Sequence, residues 1–323
     1  MKNHFKYSSR LNSFKAKPNL YTWVYGKNDV RDLFLRSFQV GGLDGFFVNY
    51  PEHFLIPDPE TIISFIKNNN IRVFGLNLRF PESQFSMGAF TNPDKNTRQA
   101  AIDLCKKAID TCIELGGNHV SLWLGYDGID YPLQADYSAI WKYEEEGLNS
   151  ISEYAKDLHI SIEYKPSDPR CHSLLDSIGI TLSLISEIDS PNLGVTLDYC
   201  HMLMAKEIPA LSAVLAMQKN KLFGVHLNDG YGYQDDGLII GSASQTLTKE
   251  FYYYLLKYKY AEPIYFDTFP VREDPILECR MNILRSEEIC KQIERDLPEN
   301  IIASVLASQD SMKSIDLLGE KTI

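Results

Sequence analysis

The sequence lacks the features that direct a chain into a membrane or across one. No apolar run approaches the roughly 18 residues that a membrane-spanning helix needs. The segment from Met1 to Lys17 is basic and polar and has no apolar core of the kind found in signal peptides. These absences predict a cytoplasmic protein with no membrane partner.

Other absences narrow the class of function. Acidic residues outnumber basic ones by 43 to 32, and the formal net charge of −11 argues against nucleic acid as a partner because phosphate backbones repel such a chain. None of the six cysteines forms a Cys-x-x-Cys pair, so we interpret them as buried thiols in a reducing compartment. No glycine-rich phosphate loop follows the first predicted strand, which argues against a nucleotide cofactor and an open dinucleotide-binding sheet.

What the sequence does contain is a regular alternation of strand-like and helix-like segments. Short runs rich in β-branched and aromatic residues predict strands at 10–14, 45–49, 72–76, 119–124, 160–163, 194–198, 223–226 and 263–267. Helical periodicity predicts helices between them, among others at 59–68, 96–115, 141–158 and 245–258.

Eight such units in 323 residues favour a single closed (β/α)8 TIM barrel over an open α/β sheet. We assign residues 1–280 to a catalytic barrel. Residues 281–323 are predicted to form a C-terminal helical extension that packs on the barrel or on a neighbouring subunit. The sequence leaves open whether the chain forms a homodimer or a homotetramer. The aromatic run 251–254 is either a subunit contact or a buried helix face.

The last four predicted strands each end in an ionisable side chain. In a barrel of this kind the active site lies at the C-terminal ends of the strands. One charged residue there is usually just solvated, but three carboxylates converging on one point repel each other unless a cation lies between them. Glu163, Asp198, His226 and Asp267 therefore predict a divalent metal site, with Mn²⁺ as first choice and Mg²⁺, Co²⁺ or Zn²⁺ as alternatives.

Other polar residues near these strand ends are candidates for further roles. Lys165 stands two residues after Glu163, so on an extended strand it points the same way and can stabilise negative charge on a substrate oxygen. His201 follows Asp198 by three residues. It either joins Asp235 or Asp236 in holding a second ion, or supports the first site.

Two candidates come from the first half of the chain. Trp123 ends the fourth predicted strand and offers an apolar wall for the C–H face of a sugar, or is a core tryptophan. His53 follows the second strand and either binds a sugar hydroxyl and assists ring opening, or is a loop histidine without a role.

Together these motifs resemble those of the xylose isomerase-like TIM barrels. The segment 163–166 resembles their E-x-K-P motif, 198–201 their D-x-x-H, and 226–229 their H-x-N-D. Within that superfamily, residues 123–134 resemble the strand-four motif of the bacterial L-rhamnose isomerases. Asp127 lies in register with that motif and is expected to contact the substrate.

The resemblance implies roles for the candidate residues. Four of them would hold a structural metal, Lys165 would contact the sugar, His201 would belong to a second, catalytic metal site, and Trp123 would line the pocket. One departure stands out. The family places two aspartates one residue apart after strand seven, whereas this chain reads Gln234-Asp235-Asp236-Gly237.

The predicted function is metal-dependent interconversion of an open-chain aldose and ketose, with Lys165, Glu163 and Asp267 as the catalytic residues. A ketose 3-epimerase is the main alternative, although such enzymes pair two glutamates on strands five and eight and Asp267 is one methylene shorter. A dehydratase of cyclic polyols is a further alternative. Phosphodiester hydrolysis and a sugar sensor without catalysis are the more remote ones.

Overall fold

The structure, a computed structural model, describes residues 3–27, 29–168 and 170–318. Residues 1–2 of the predicted barrel and 319–323 of the predicted extension lie outside the described residues, as do 28 and 169. Within the described ranges, no helix is both long and apolar enough to span a membrane.

Eight parallel strands form one sheet that curls into a barrel. The strands are β1 Tyr7–Ser9, β2 Phe46–Tyr50, β3 Val73–Arg79, β4 His119–Trp123, β5 His159–Glu163, β6 Leu193–Asp198, β7 Leu222–Leu227 and β8 Ile264–Phe266. Their order in the sheet is β1-β8-β7-β6-β5-β4-β3-β2, and every ladder between neighbours is parallel.

Between β1 and β2 the ring is closed by individual hydrogen bonds instead of a ladder. The Phe47 N–H donates to Ser8 Oγ at 3.2 Å, and the Asp44 N–H donates to the Tyr7 carbonyl at 2.8 Å. The predicted single (β/α)8 barrel is therefore confirmed. The C-terminal ends of its strands gather at one end, which we call the mouth.

Each strand is followed by a helix on the outside of the barrel. The eight outer helices are α1 Val30–Phe38, α2 Pro59–Asn68, α3 Lys95–Glu114, α4 Tyr137–Tyr154, α5 Ile178–Ile188, α6 Pro209–Gln218, α7 Gln245–Lys257 and α8 Pro275–Asp296. Two short helices lie at the mouth, Glu82–Phe85 after β3 and Tyr199–Met204 directly after β6. Aspartates cap several of their N-termini. Asp136, for example, accepts from the Ser138 and Ala139 N–H groups, so α4 begins earlier than its apolar periodicity predicts.

The prediction for the first strand was wrong. Residues 10–14 do not form a strand. The strand is β1, and a 3₁₀ helix follows it at Leu11–Lys15. Leu11 and Phe14 are both buried because their spacing of three places them on one face of a 3₁₀ helix, where a strand would place them on opposite faces. Arg10 therefore stands at the mouth instead of inside a strand.

A small antiparallel sheet, which the sequence analysis did not predict, covers part of the mouth. It joins Gly128–Ile129 from the loop after β4 to Cys171–Ser173 and Ser167–Asp168 from the loop after β5. Pairing of these two loops fixes the positions of the residues that end β4 and β5.

The C-terminal part continues as helices beyond the barrel. Helix α8 runs without a break through the predicted boundary at residue 280, and two helices follow, α9 Glu299–Ser308 and α10 Ser311–Leu318. Within the aromatic run 251–254, Phe251 and Tyr252 are fully buried in the core of the chain, as expected for a buried helix face.

Candidate metal centre

The four predicted ligand residues come together at the mouth. Glu163 and Asp198 are the last residues of β5 and β6, His226 lies near the end of β7, and Asp267 directly follows β8. One ligand-capable atom of each lies within 4.8 Å of the corresponding atoms of the others. Parallel register produces this arrangement, since His226 stands opposite Asp198 and the Asp267 N–H donates to the Leu227 carbonyl at 3.0 Å.

The donor atoms fit a cation. Glu163, Asp198 and His226 are buried, and the side chain of Asp267 is 17% exposed. His226 Nδ1 lies 3.3 Å from Glu163 Oε2, and Asp267 Oδ1 lies 3.3 Å from Arg10 Nε, but among the described residues neither buried atom has a hydrogen bond. Buried ligand atoms without a hydrogen bond, in a set of three carboxylates and an imidazole, are what a divalent ion would satisfy.

The pKa values of the three carboxyl groups also favour a cation at this site. Burial raises the pKa of Asp198 to about 7 and also raises the pKa of Asp267. Burial opposes ionisation of Glu163 too, but the positive charges of His226 and His201 outweigh it and lower the pKa of Glu163 to about 2. Carboxyl groups whose ionisation is opposed by burial are stabilised as carboxylates when a cation binds between them.

Asn228 holds two of these groups in place. Its side-chain NH₂ donates to Asp198 Oδ2 at 3.1 Å and to the Asp267 carbonyl at 3.2 Å, and its Oδ1 accepts from the Cys200 N–H at 2.9 Å. Asp229, the next residue, accepts from the N–H groups of Ala243 and Ser244. Both residues belong to the H-x-N-D segment 226–229, but no role was predicted for them, and their position directly after β7 is the signal that would have found them.

A second group of possible ligands shares Asp198 with the first. Its other members are His201 and Asp235. His201 Nδ1 donates to the Tyr164 carbonyl at 3.0 Å, which leaves Nε2 facing Asp235 Oδ2 at 3.2 Å. A histidine fixed in this way through its other nitrogen is typical of metal sites.

Protons compete with a cation for this second group. Burial by itself lowers the pKa of His201, but the charges of Asp198 and Asp235 outweigh it and raise this pKa to about 9. Binding of a metal ion at Nε2 therefore requires release of a proton at neutral pH.

The structure separates the two aspartates that sequence analysis considered for this group. Asp236 turns back into its own loop, where it accepts from the Tyr231 N–H at 2.9 Å and from Gln234 Nε2 at 2.8 Å. Gly237 has a φ of +61°, and a Cβ atom there would lie 2.4 Å from the Phe269 ring. The ring therefore forces glycine where the resembled pattern has its other aspartate, and only Asp235 faces His201.

Lys165 and Trp123 form one wall beside the first group. Together with Glu163 they line a small cavity between the ends of β4 and β5. Lys165 Nζ lies 3.1 Å from both Asp168 Oδ2 and Asp235 Oδ2, and 6.0 Å from the centre of the Trp123 ring. Burial lowers the pKa of Lys165, but the two carboxylates outweigh it and raise this pKa, so the ammonium keeps its charge.

Asp127 lines the same cavity, but its carboxylate mainly accepts hydrogen bonds from the backbone. Its Oδ1 accepts from the N–H groups of Ala89 and Thr91 at 2.9 and 2.7 Å and thereby anchors the loop after β3. Burial raises the pKa of Asp127 to about 6.

His53, the other predicted substrate contact, also holds loops together. Its Nδ1 accepts from the Asn49 N–H at 3.1 Å, so Nε2 carries the proton and donates to Asn12 Oδ1 at 2.9 Å. Burial lowers the pKa of His53 to about 4. Both ring nitrogens are thus used within the protein.

Two arginines at the mouth were missed. Arg10 Nε lies 3.3 Å from Asp267 Oδ1, and its guanidinium lies 4.6 Å from the centre of the Phe269 ring. Arg79, the last residue of β3, lies 4.5 Å over the Trp123 ring. The misplaced first strand concealed Arg10, and the predicted third strand ended at 76, three residues before Arg79.

Comparison with known proteins identifies the family. Residues 41–286 match the family model described as the xylose isomerase-like TIM barrel. The chain belongs to that family, and its fold is that of sugar isomerases and epimerases. The resemblance to this superfamily is therefore confirmed.

A curated relative and two solved structures illustrate the range of the family. A xylose isomerase of Thermus thermophilus is 29% identical over 155 residues, which are 46% of this chain and 40% of that enzyme, so the chain matches less than half of its length. A structure of L-ribulose 3-epimerase is 17% identical, with a TM-score of 0.69 over 91% of this chain and 99% of that one. A D-allulose 3-epimerase from Methylomonas sp. is 18% identical, with a TM-score of 0.66 over 91% and 98%.

At these identities the two solved structures support the fold alone. The finer resemblance to L-rhamnose isomerases stays a prediction.

Proposed function

We propose that the protein is a divalent-metal-dependent isomerase that interconverts an open-chain aldose and the corresponding ketose. The observation that carries the proposal is the convergence of Glu163, Asp198, His226 and Asp267 within 4.8 Å, beside a buried lysine. A divalent ion held by these four residues would supply Lewis-acid polarisation of the sugar carbonyl and its neighbouring hydroxyl.

The remaining groups of the wall suit a sugar. Lys165 is a buried ammonium with three donor hydrogens, so it can donate to a substrate oxygen and stabilise negative charge that develops there. Trp123 provides an apolar surface next to that donor and excludes water from one side of the site. Glu163 and Asp267 are the carboxylates available to accept a proton from carbon if the hydrogen moves through an enediol.

A ketose 3-epimerase is the second candidate, because solved neighbours carry that name. In such a mechanism the carboxylates of strands five and eight act as an acid and base on opposite sides of one carbon. Here Asp267 is the shorter residue, and Arg10 lies 3.3 Å from its Oδ1. The guanidinium of Arg10 takes up one oxygen of this carboxylate, which favours a ligand role for Asp267 over that of an acid and base at carbon.

The test is an NMR assay in D₂O with a panel of aldoses and ketoses, using chelator-treated protein with and without Mn²⁺. Manganese-dependent formation of the partner ketose or aldose supports the isomerase, and deuterium at the reacting carbon indicates an enediol route over a hydride shift. Inversion at carbon 3 of a ketose without formation of an aldose supports the epimerase. Absence of any conversion contradicts both.

A further inference from the structure

Lys165, Arg10 and Arg79 are cationic side chains at the mouth, and they differ in what balances their charge. Lys165 is paired with Asp168 and Asp235, and Arg10 lies against Asp267. Arg79 is exposed and, within the part of the chain that the structure describes, makes no ion pair and donates no hydrogen bond.

The position of Arg79 relative to the metal centre is set by the sheet. Arg79 stands opposite Trp123 on β4, and Trp123 stands opposite Glu163 on β5. The three residues therefore follow one another along the same level of the mouth. A ligand that extends from Glu163 along this level of the mouth therefore runs past Trp123 toward Arg79.

The contact with Trp123 leaves the donors of Arg79 available. A guanidinium that packs on an aromatic ring uses its face, whereas its N–H groups lie in its plane. Those N–H groups match the spacing of two oxygens in a carboxylate or a phosphate. Arg79 is thus held by the indole in a position where it can bind an oxyanion.

We propose that Arg79 is a specificity residue that binds an oxyanion carried by the sugar, so that the substrate is an acidic sugar with a carboxylate or a phosphate at the end remote from the reacting carbons. The inference rests on the proposed function, because it takes the metal centre as the place where the other end of the sugar is bound. It adds the chemical class of the substrate.

The test measures binding by titration calorimetry to the Mn²⁺-loaded protein. The ligands are a panel of hexuronates, a panel of ketose and aldose phosphates, and the matched neutral sugars. The expected result is preferential binding of one acidic panel. Loss of a charged hydrogen-bond partner predicts that Arg79→Gln lowers the preference for acidic over neutral sugars by about tenfold. Arg79→Lys should restore part of that preference because it keeps the charge.

Arg72→Gln is the matched control. Arg72 precedes the same strand, at the opposite end of the barrel, and its guanidinium also lies over an aromatic ring, 5.0 Å from the centre of Phe74. This variant should leave the binding of acidic and neutral sugars unchanged. The comparison separates the effect of an oxyanion contact from a general loss of one positive charge.

The outcomes distinguish the sources of the oxyanion and the two proposals. Preferential binding of the hexuronates identifies the oxyanion as a carboxylate. Preferential binding of the ketose and aldose phosphates identifies it as a phosphate. Equal weakening of acidic and neutral sugars in Arg79→Gln, or no binding of either acidic panel, overturns the role of Arg79. If acidic sugars bind through Arg79 but no sugar is converted in the presence of Mn²⁺, the isomerase proposal fails while this one stands.

Discussion

The two halves of the mouth use their polar residues differently. At the ends of β5 to β8, the predicted side chains converge on one point and, among the described residues, leave buried ligand atoms without a hydrogen bond. At the ends of β1 to β4, His53 and Asp127 mainly hold loops, while Arg79, an exposed cation of that half, was not predicted. The comparison teaches that a cluster of like charges implies an external partner, whereas a single buried polar residue is more often satisfied by the backbone nearby.

The largest effect on metal content and activity is expected at the group formed by Glu163, Asp198, His226 and Asp267. Glu163→Gln removes one of the three carboxylates that would neutralise a divalent ion, so we expect loss of tightly bound metal and of most activity. Elemental analysis after dialysis against a metal-free buffer measures the metal content.

Glu146→Gln is the control for this variant, because Glu146 is an exposed glutamate of α4 that lies 3.9 Å from Lys142. It should keep its full metal content. An unchanged metal content in Glu163→Gln would contradict the ligand assignment.

Lys165→Met should separate chemistry from metal binding. The thioether preserves the length of the side chain but removes the donors, so turnover should fall by about 10²–10³-fold, the range seen when a donor to a developing charge is lost. Metal content should stay near that of the unmodified protein, although Asp235 loses one of its two partners and keeps His201. Lys142→Met, an exposed change on α4, is the control. Full activity of Lys165→Met would show that the ammonium only pairs with carboxylates.

The difference between the two halves also explains what the sequence could predict. The barrel class could be predicted because strands that are buried on both sides appear in the sequence as short, nearly continuous apolar runs. The ends of β5 to β8 could be predicted because a carboxylate or an imidazole directly follows such a run. The Arg10 segment was mistaken for a strand because Leu11 and Phe14 are apolar in either geometry. The small sheet at the mouth depends on pairing between loops about 40 residues apart, which local pattern does not encode.

A prediction about how stability depends on pH tests the half of the mouth at the ends of β1 to β4, where His53 holds loops together. The pKa of His53 is about 4, below the ordinary value of 6.5, because the ring is buried. A histidine of this kind binds fewer protons when folded than when unfolded. Its contribution to stability is therefore present above pH 6.5 and is lost as the pH falls from 6.5 through about 4.

His53→Gln keeps an acceptor and a donor in the side chain but does not titrate. Its unfolding temperature should fall less than that of the unmodified protein between pH 6.5 and 4, by a few degrees in a chain of this size. Thermal unfolding followed by circular dichroism measures the difference. The exposed His172 supplies the control variant His172→Gln. Parallel curves for all three proteins would contradict the burial argument.

The smallest effect is expected at Asp127, where the two halves of the mouth meet. Asp127→Asn keeps the Oδ1 acceptor that Ala89 and Thr91 use, and it removes one negative charge near the buried Glu144, whose pKa is raised first by burial and then by Asp127. We expect a change in unfolding free energy within about 1 kcal/mol, since the hydrogen bonds are preserved, and less than about a twofold change in kcat/KM. Asp127→Ala should instead cost about 1–3 kcal/mol, because two buried N–H groups lose their acceptor. If Asp127→Asn abolished activity while leaving stability unchanged, Asp127 would be a substrate contact in its own right, and the first half of the mouth would contribute to catalysis as directly as the second.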